Sequence, residues 1–337
     1  MRGEDPHDAI DLPLYLRDAY ARAEDFCNLL GKRVKGSGFL KTLLLRRLGS
    51  SIAAGRKTAE AMLRDWEAID EADEEEDDPA SSETRTLTPS ERGLLDDFVA
   101  VLGAYHDRDP KVGRVLECLR DRDWLGDGCI VFSQYFASIE SLSHELTREF
   151  PKEPIAIYAG GGRSGIVREG AFRPAPRDEI KRLVTAGEIR LVLGTDAASE
   201  GLNLQRLGCL INLDLPWNPT RLEQRKGRIQ RIGQTREVVR IYNLRYLGSV
   251  EDRVHQLLSD RLANIYGLFG QIPDVLEDVW IDVAIGDIEA AKKRIDAVPK
   301  QHAFELRYNR IERVPWESCT QVLDAEGRRR HLMQGWR

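Results

Sequence analysis

Two short apolar runs with a polar loop between them constrain this chain more than any other feature. Ile189 to Leu193 and Leu207 to Leu213 are rich in aliphatic residues and bounded by glycine or polar residues. That is the pattern of strands buried on both faces. The loop between them, GTDAASEGLNLQ, is entered by Gly194 and passes through Gly201. After Pro216, Trp217, Asn218 and Pro219 comes QRKGRIQRIGQ, in which Gln224, Arg228 and Arg231 recur at helical spacing. A continuous helix would place Arg228 and Arg231 on one face. Two guanidiniums so placed can clamp a polyphosphate, because each offers a planar fork matched to phosphate oxygens. The plain alternative is a basic surface helix. An arginine pair alone favours that alternative.

Upstream, the same alternation continues. Leu94 to Tyr105 and Lys111 to Asp121 read as helices, followed by a compact strand, Cys129 to Phe132, that ends in Ser133, Gln134, Tyr135 and Phe136. The next helix carries Ile139, Leu142 and Leu146 on one face. Pro154 to Tyr158 reads as a strand, then Gly160, Gly161 and Gly162 open a segment through Gly170 that is expected to be a flexible connection. Arg177 to Leu183 supplies a further helix, and Val239 to Leu244 a terminal strand. Strands alternating with helices predict an α/β fold, a parallel sheet with helices on both faces. Ligands in such sheets sit beyond the carboxyl ends of the strands. The loops after Phe132, Tyr158 and Leu193 all fall there.

These residues resemble motifs V and VI of superfamily-two helicases. The string DLPWNPTRLEQRKGR and the RIGQ ending, Arg231 to Gln234, are similar to the Swi/Snf-type branch of DNA translocases, and IVFSQ resembles motif IV. The Tyr158 and Gly160 to Gly162 stretch approximates a Tyr-x-Gly-Gly of that family. The resemblance implies a RecA-like second lobe with helical N- and C-terminal extensions. It implies that Arg228 and Arg231 are arginine fingers, each type contributing about 10³ to 10⁵ in rate. By the same resemblance Gln224 helps orient them, Gly201 and Asn203 line the ATP edge, and Glu200 couples the loop to the fingers. Ser133, Gln134 and Thr195 are expected to grip the backbone of double-stranded DNA, which fixes position without reading bases.

Motifs absent from the chain matter as much. No G-x-x-x-x-G-K-[ST] and no Asp-Glu pair of the helicase type is present. KGSGFLKT, from Lys35 to Thr42, fails as a phosphate loop, because Leu40 stands where glycine must precede the lysine and no strand leads in. ATP and Mg²⁺ are therefore expected to be held mainly by a first lobe supplied in cis or in trans, so that this chain alone is inactive. The partners expected are that lobe, double-stranded DNA and proteins of transcription or phage defence, since the tail is similar to bacterial Swi/Snf-like proteins linked to defence. The second reading is a catalytically silent DNA- or protein-binding module built on a helicase lobe. A dinucleotide-binding enzyme is disfavoured, since no strand-to-helix turn carries GxGxxG.

Charge refines this picture. The net charge of −6 argues against nucleic acid only as an average. From Asp65 to Asp78 ten of fourteen positions are acidic and none basic, whereas Arg221 to Arg240 holds seven basic and two acidic. Such asymmetry points to a phosphate-rich partner. Five scattered cysteines without CxxC spacing and six histidines without HExxH indicate no disulfide framework and no metal site. No signal core and no membrane-length apolar run is seen, and a cytoplasmic location is expected.

The expected organisation is a helical segment, residues 1–66; an acidic linker, 67–90; the RecA-like lobe, 91–248; bracing helices, 249–298; and an Arg- and Trp-rich tail, 299–337. Within the first segment Lys41, Arg46 and Arg47 are expected on a solvated helix face. Such charge density in the linker cannot bury enough apolar surface to offset the entropy of ordering.

Overall fold

The computed structural model describes residues 9–33, 38–66, 86–104, 108–196, 204–216, 219–230, 233–254, 256–257 and 277–297. Glu200, Gly201, Asn203, Arg231, the acidic run beyond Trp66 and the C-terminal tail lie outside these residues.

The chain opens with a short strand β1 (Ala9–Ile10), then helices α1 (Leu14–Arg33), α2 (Gly38–Ser50), α3 (Ile52–Asp65), α4 (Pro89–Gly103), α5 (Pro110–Arg120) and a single turn α6 (Trp124–Asp127). The α/β part follows: β2 (Cys129–Ser133), α7 (Phe136–Glu149), β3 (Ile155–Tyr158), β4 (Gly165–Arg168), β5 (Ala171–Pro174), α8 (Arg177–Ala186), β6 (Leu191–Thr195), β7 (Cys209–Asn212), α9 (Pro219–Ile229), β8 (Arg240–Asn243) and β9 (Arg245–Tyr246). Two further helices span Glu277–Ala284 and Ile288–Ala297.

The main sheet runs β5-β4-β3-β6-β2-β7-β8. From β3 to β8 every pairing is parallel. Successive residues of each strand feed opposite faces, as a pleat requires. Cys129, Val131, Ile155, Ile157, Leu191, Leu193, Cys209 and Ile211 pack with α5, α7 and the N-terminal helices. Ile130, Phe132, Ala156, Tyr158, Val192 and Leu210 pack with Ile180, Leu183 and Val184 of α8 and Ile229 of α9. Burial on both faces explains the near-continuous apolar runs of the sequence. The α/β architecture, a sheet covered on both faces, is thus the one expected.

Three expectations change. The connection after Gly162 is an antiparallel hairpin, β4 and β5, added to the sheet edge. Glu169 (φ 50°) and Gly170 (φ 82°) both lie in the left-handed region, which makes a two-residue turn whose twist matches the strands. The sheet is therefore mixed. The expected linker also ends early. Thr88 caps α4 in a reciprocal capping box with Glu91, Pro89 occupies the first turn, and Arg33 holds Glu91 at 3.0 and 3.2 Å. Finally, Arg47 is not on a solvated face. It is buried, with its guanidinium carbon 5.1 Å from the centre of the Tyr135 ring. A weakly hydrated planar cation on an aliphatic stem tolerates that position.

The N-terminal helices share the core of the lobe. One continuous cluster joins Leu16, Phe26, Leu44 and Leu48 to Leu95, Leu116, Leu142, Leu193 and Ile211. Val250 and Val254, in the segment expected to form bracing helices, are buried in it too. β1 pairs with β9, Ala9 opposite Arg245 and Ile10 opposite Tyr246. None of the described helices is long and apolar enough to cross a membrane.

Candidate nucleotide and nucleic-acid face

The site lies along the carboxyl ends of β3, β6, β2 and β7. Register brings the ends together: Tyr158 opposes Gly194, and Ser133 opposes Thr195. Neighbouring strands are roughly 4.8 Å apart, so the loops carrying these residues form one row.

A buried polar network underlies that row. Arg225, fully buried, donates from Nε to Asp196 Oδ1 (2.5 Å), from Nη1 to Asn212 Oδ1 (3.1 Å) and the Asp214 carbonyl (3.0 Å), and from Nη2 to Asp214 Oδ1 (3.2 Å). Burial opposes its charge, but the carboxylates of Asp196 and Asp214 outweigh it and hold its pKa above the ordinary guanidinium value. Its carbon lies 5.5 Å from the Phe132 ring centre. Asp214 also accepts from the Ser50 hydroxyl (2.6 Å), the Ser133 hydroxyl (2.5 Å) and the Gln134 amide (3.1 Å). Ser138 joins Ser50 and Ser51, each at 2.7 Å. One carboxylate at the end of β7 thereby fixes the loop after β2, helix α9 and the end of α2.

Lys111 pins the adjoining corner. Its buried ammonium donates to the carbonyls of Gly49 (2.5 Å) and Leu213 (2.6 Å) and lies 4.7 Å from the Tyr246 ring centre. Burial pulls its pKa down, against the raising fields of Glu251, Asp214 and Asp109, with a net lowering.

Among the residues expected to act, Ser133, Gln134 and Thr195 are brought together at the ends of β2 and β6, and all three are buried. The Ser133 side chain has no exposed surface, and its hydroxyl is taken by Asp214. Gln224 stands exposed on α9. Arg228 is half-buried on the same helix, with its Nε buried and without a hydrogen-bond partner among the described residues. A buried guanidinium donor of that kind fits an anionic acceptor. Helix α9 ends at Ile229, and Arg231, expected on the same face as Arg228, lies outside the described residues. Gln234 closes the segment, donating to the carbonyls of Leu207 (3.1 Å) and Ile229 (2.8 Å).

The sequence reading missed Arg225, Asp196, Asp214 and Lys111 as parts of the site. Arg225 stands beside Gln224 in the motif, and Asp214 terminates an apolar strand. A charge at such a position has to find a buried partner, and that was the available signal. Lys111 and Ser50 left none, because their partners are distant in sequence. No group of three or more metal-ligating side chains occurs among the described residues.

Residues 111–233 match the helicase conserved C-terminal domain. The chain is 33% identical over 175 residues to the uncharacterized ATP-dependent helicase YqhH of Bacillus subtilis, covering 52% of this chain and 28% of that protein. It is 44% identical over 161 residues to the RNA polymerase-associated protein RapA of Vibrio campbellii, covering 48% of this chain and 15% of the relative. The solved SWI2/SNF2 ATPase core of Sulfolobus solfataricus in complex with dsDNA aligns with a TM-score of 0.45 at 18% identity, covering 88% of this chain and 49% of that one. The chain thus spans less than a third of the length of either curated relative.

Proposed function

We propose that this chain, whose residues 111–233 match the helicase conserved C-terminal domain, is the C-terminal motor lobe of an ATP-dependent translocase on double-stranded DNA. The observation that carries this reading is Arg225. It ties α9 to Asp196 in the loop after β6 and to Asp214, which in turn holds the loop after β2. A surface helix has no need of such an anchor; a helix that must present Arg228 at a fixed height above the sheet does.

In this reading Arg228 and Arg231 meet the γ-phosphate of ATP, whose transfer needs charge stabilisation rather than covalent help from the protein. Gln224, Glu200, Gly201 and Asn203 line the same edge. ATP and Mg²⁺ are held mainly by a first lobe, in cis or in trans, which supplies the metal ligands. Gln134 and Thr195 meet the DNA backbone, and Ser133 sets the loop that carries Gln134. Contacts of this type hold position along the duplex without reading sequence.

The test is ATP hydrolysis by this chain, alone and mixed with a Walker-motif lobe, with and without duplex DNA. The expected result is silence alone and DNA-stimulated turnover in the mixture. Silence in both, with DNA binding intact, overturns the motor reading and leaves a binding module.

A further inference from the structure

The corner between α2 and α3 carries a chain of buried hydroxyls. α2 ends at Ser50, and Ser51 caps α3 by accepting from the Ala54 amide (3.1 Å). The two helices cross so closely that a Cβ on Gly55 would lie 2.9 Å from Cα of Leu48. Backbone packing thus fixes the corner, and Lys111 holds the carbonyl of Gly49 beside it. Nothing in that packing calls for hydroxyls, which are costly to bury unless each is bonded. Yet Ser50, Ser51, Ser133 and Ser138, all buried, gather beside Asp214.

Each hydroxyl has one proton, and that orders the chain. A carboxylate only accepts, so Ser50 (2.6 Å) and Ser133 (2.5 Å) both donate to Asp214 Oδ2. Their mutual contact of 2.9 Å is left without a donor. Ser138, in the first turn of α7, lies 2.7 Å from both Ser50 and Ser51. Because the Ser50 proton is committed to Asp214, Ser138 donates to Ser50. Ser51, whose other partner is the Ala54 donor, then donates to Ser138. One assignment serves both contacts: Ala54 amide to Ser51, to Ser138, to Ser50, to Asp214. Bonds aligned in one direction polarise and strengthen one another. They hold Oδ2 of Asp214 and so fix the direction in which Oδ1 faces Arg225 (3.2 Å).

We propose that Ser50 is a positioning residue for Arg228. By holding Asp214 Oδ2 it sets Oδ1 against Arg225, and Arg225 sets the height of α9, which carries Arg228. The α2–α3 corner is thereby a working part of the motor lobe rather than an extension of it. The inference rests on the motor reading given above.

The test is turnover by this chain mixed with a Walker-motif lobe and duplex DNA, for Ser50→Ala, Ser138→Ala and Arg228→Ala. Misplacing a catalytic group slightly costs up to about 10²-fold in rate, so Ser50→Ala is expected to lower kcat by about tenfold to 10²-fold. The KM for ATP should not change. Ser138→Ala leaves the Ser50 proton on Asp214 and should lower kcat by less. Ser50→Ala added to Arg228→Ala should change nothing further, since a residue acting through Arg228 has no separate effect without it. An unchanged kcat in Ser50→Ala overturns the proposal. So does a fall as large in Ser138→Ala, or an undiminished effect of Ser50→Ala in the Arg228→Ala background.

A second readout separates positioning from loss of stability. In the chain alone, Ser50→Ala should quicken amide hydrogen exchange in α9 and in the loop after β2, with α8 unchanged. Equal quickening in all three means general loosening and overturns the proposal. Should Ser50→Ala fail to fold, Ser138→Ala decides, and an unchanged kcat there overturns it. If the unaltered mixture shows no DNA-stimulated turnover, the motor reading falls and the positioning role with it. The exchange pattern needs no partner, so the two failures are told apart.

Discussion

Ser50 and Asp214, 164 positions apart, are joined by a buried hydrogen bond of 2.6 Å. The bond makes α2 part of the site, for the same carboxylate holds Ser133, the Gln134 amide and Arg225. Removing Asp214 leaves a buried guanidinium with fewer partners, and breaking a buried pair from one side costs about 3–5 kcal/mol. Asp214→Ala is expected to lower the urea midpoint by that equivalent. Ser50→Ala removes one charge-assisted bond and should cost about 1.5–3 kcal/mol. Equal losses for the two variants would refute the placing of Asp214 at the hub.

A second expectation concerns rate. Arg228→Ala, assayed with a first lobe and duplex DNA, should lower turnover by about 10³ to 10⁵, because charge on the transferred phosphoryl group goes unmet. Duplex affinity should not change, since in the proposed reading Arg228 meets the nucleotide and the DNA backbone is met by Gln134 and Thr195. A parallel fall in affinity would show that Arg228 binds DNA instead.

Much of this was legible in the sequence, for identifiable reasons. The parallel strands were, because both faces are buried and the runs Cys129 to Phe132 and Leu207 to Leu213 therefore stand out. The hairpin was not. Its strands are four residues each, β5 is exposed throughout, and Glu169 supplies a left-handed turn position usually given to Asn, Asp or Gly. The arginine of the motif that organises the site, Arg225, was passed over for Arg228 and Arg231. Spacing shows which residues share a helix face, but not which of them is turned inward against Asp196 and Asp214. The solvated face assigned to Arg47 failed likewise, because Tyr135, its aromatic partner, is far along the chain.

Alkaline stability follows from the buried thiols. Burial pushes Cys27 up to about 12 from 9.0, with Glu24 adding to the shift and a backbone contact opposing it, and pushes Cys129 well above the same value. Folded values above the unfolded one give a contribution that is fully present below pH 9. It is lost as pH rises through the folded value, since the unfolded chain releases the proton first. For Cys27 the loss is about 1.4 kcal/mol per pH unit. The urea midpoint should therefore fall less steeply above pH 9 in Cys27→Ala than in the unaltered chain. Parallel slopes would contradict the assignment.

The hairpin yields the last expectation. A Cβ on Gly165 would lie 2.3 Å from Cε2 of Phe172 and 2.6 Å from the Arg173 carbonyl oxygen. The ring is 51% exposed and can swing away, but the carbonyl is held by the β4–β5 ladder, so β5 itself has to move. Overpacking of this kind costs about 1–3 kcal/mol. Gly165→Ala should lower the melting temperature, and adding Phe172→Ala should restore only part of the loss, because the carbonyl remains in place. Gly93→Ala is the contrasting substitution. It lies within α4 with nothing in reach of a new Cβ and should gain about 0.4–1 kcal/mol from reduced freedom of the unfolded chain. Complete rescue by Phe172→Ala would mean that the ring alone, and not the backbone of β5, requires glycine at position 165.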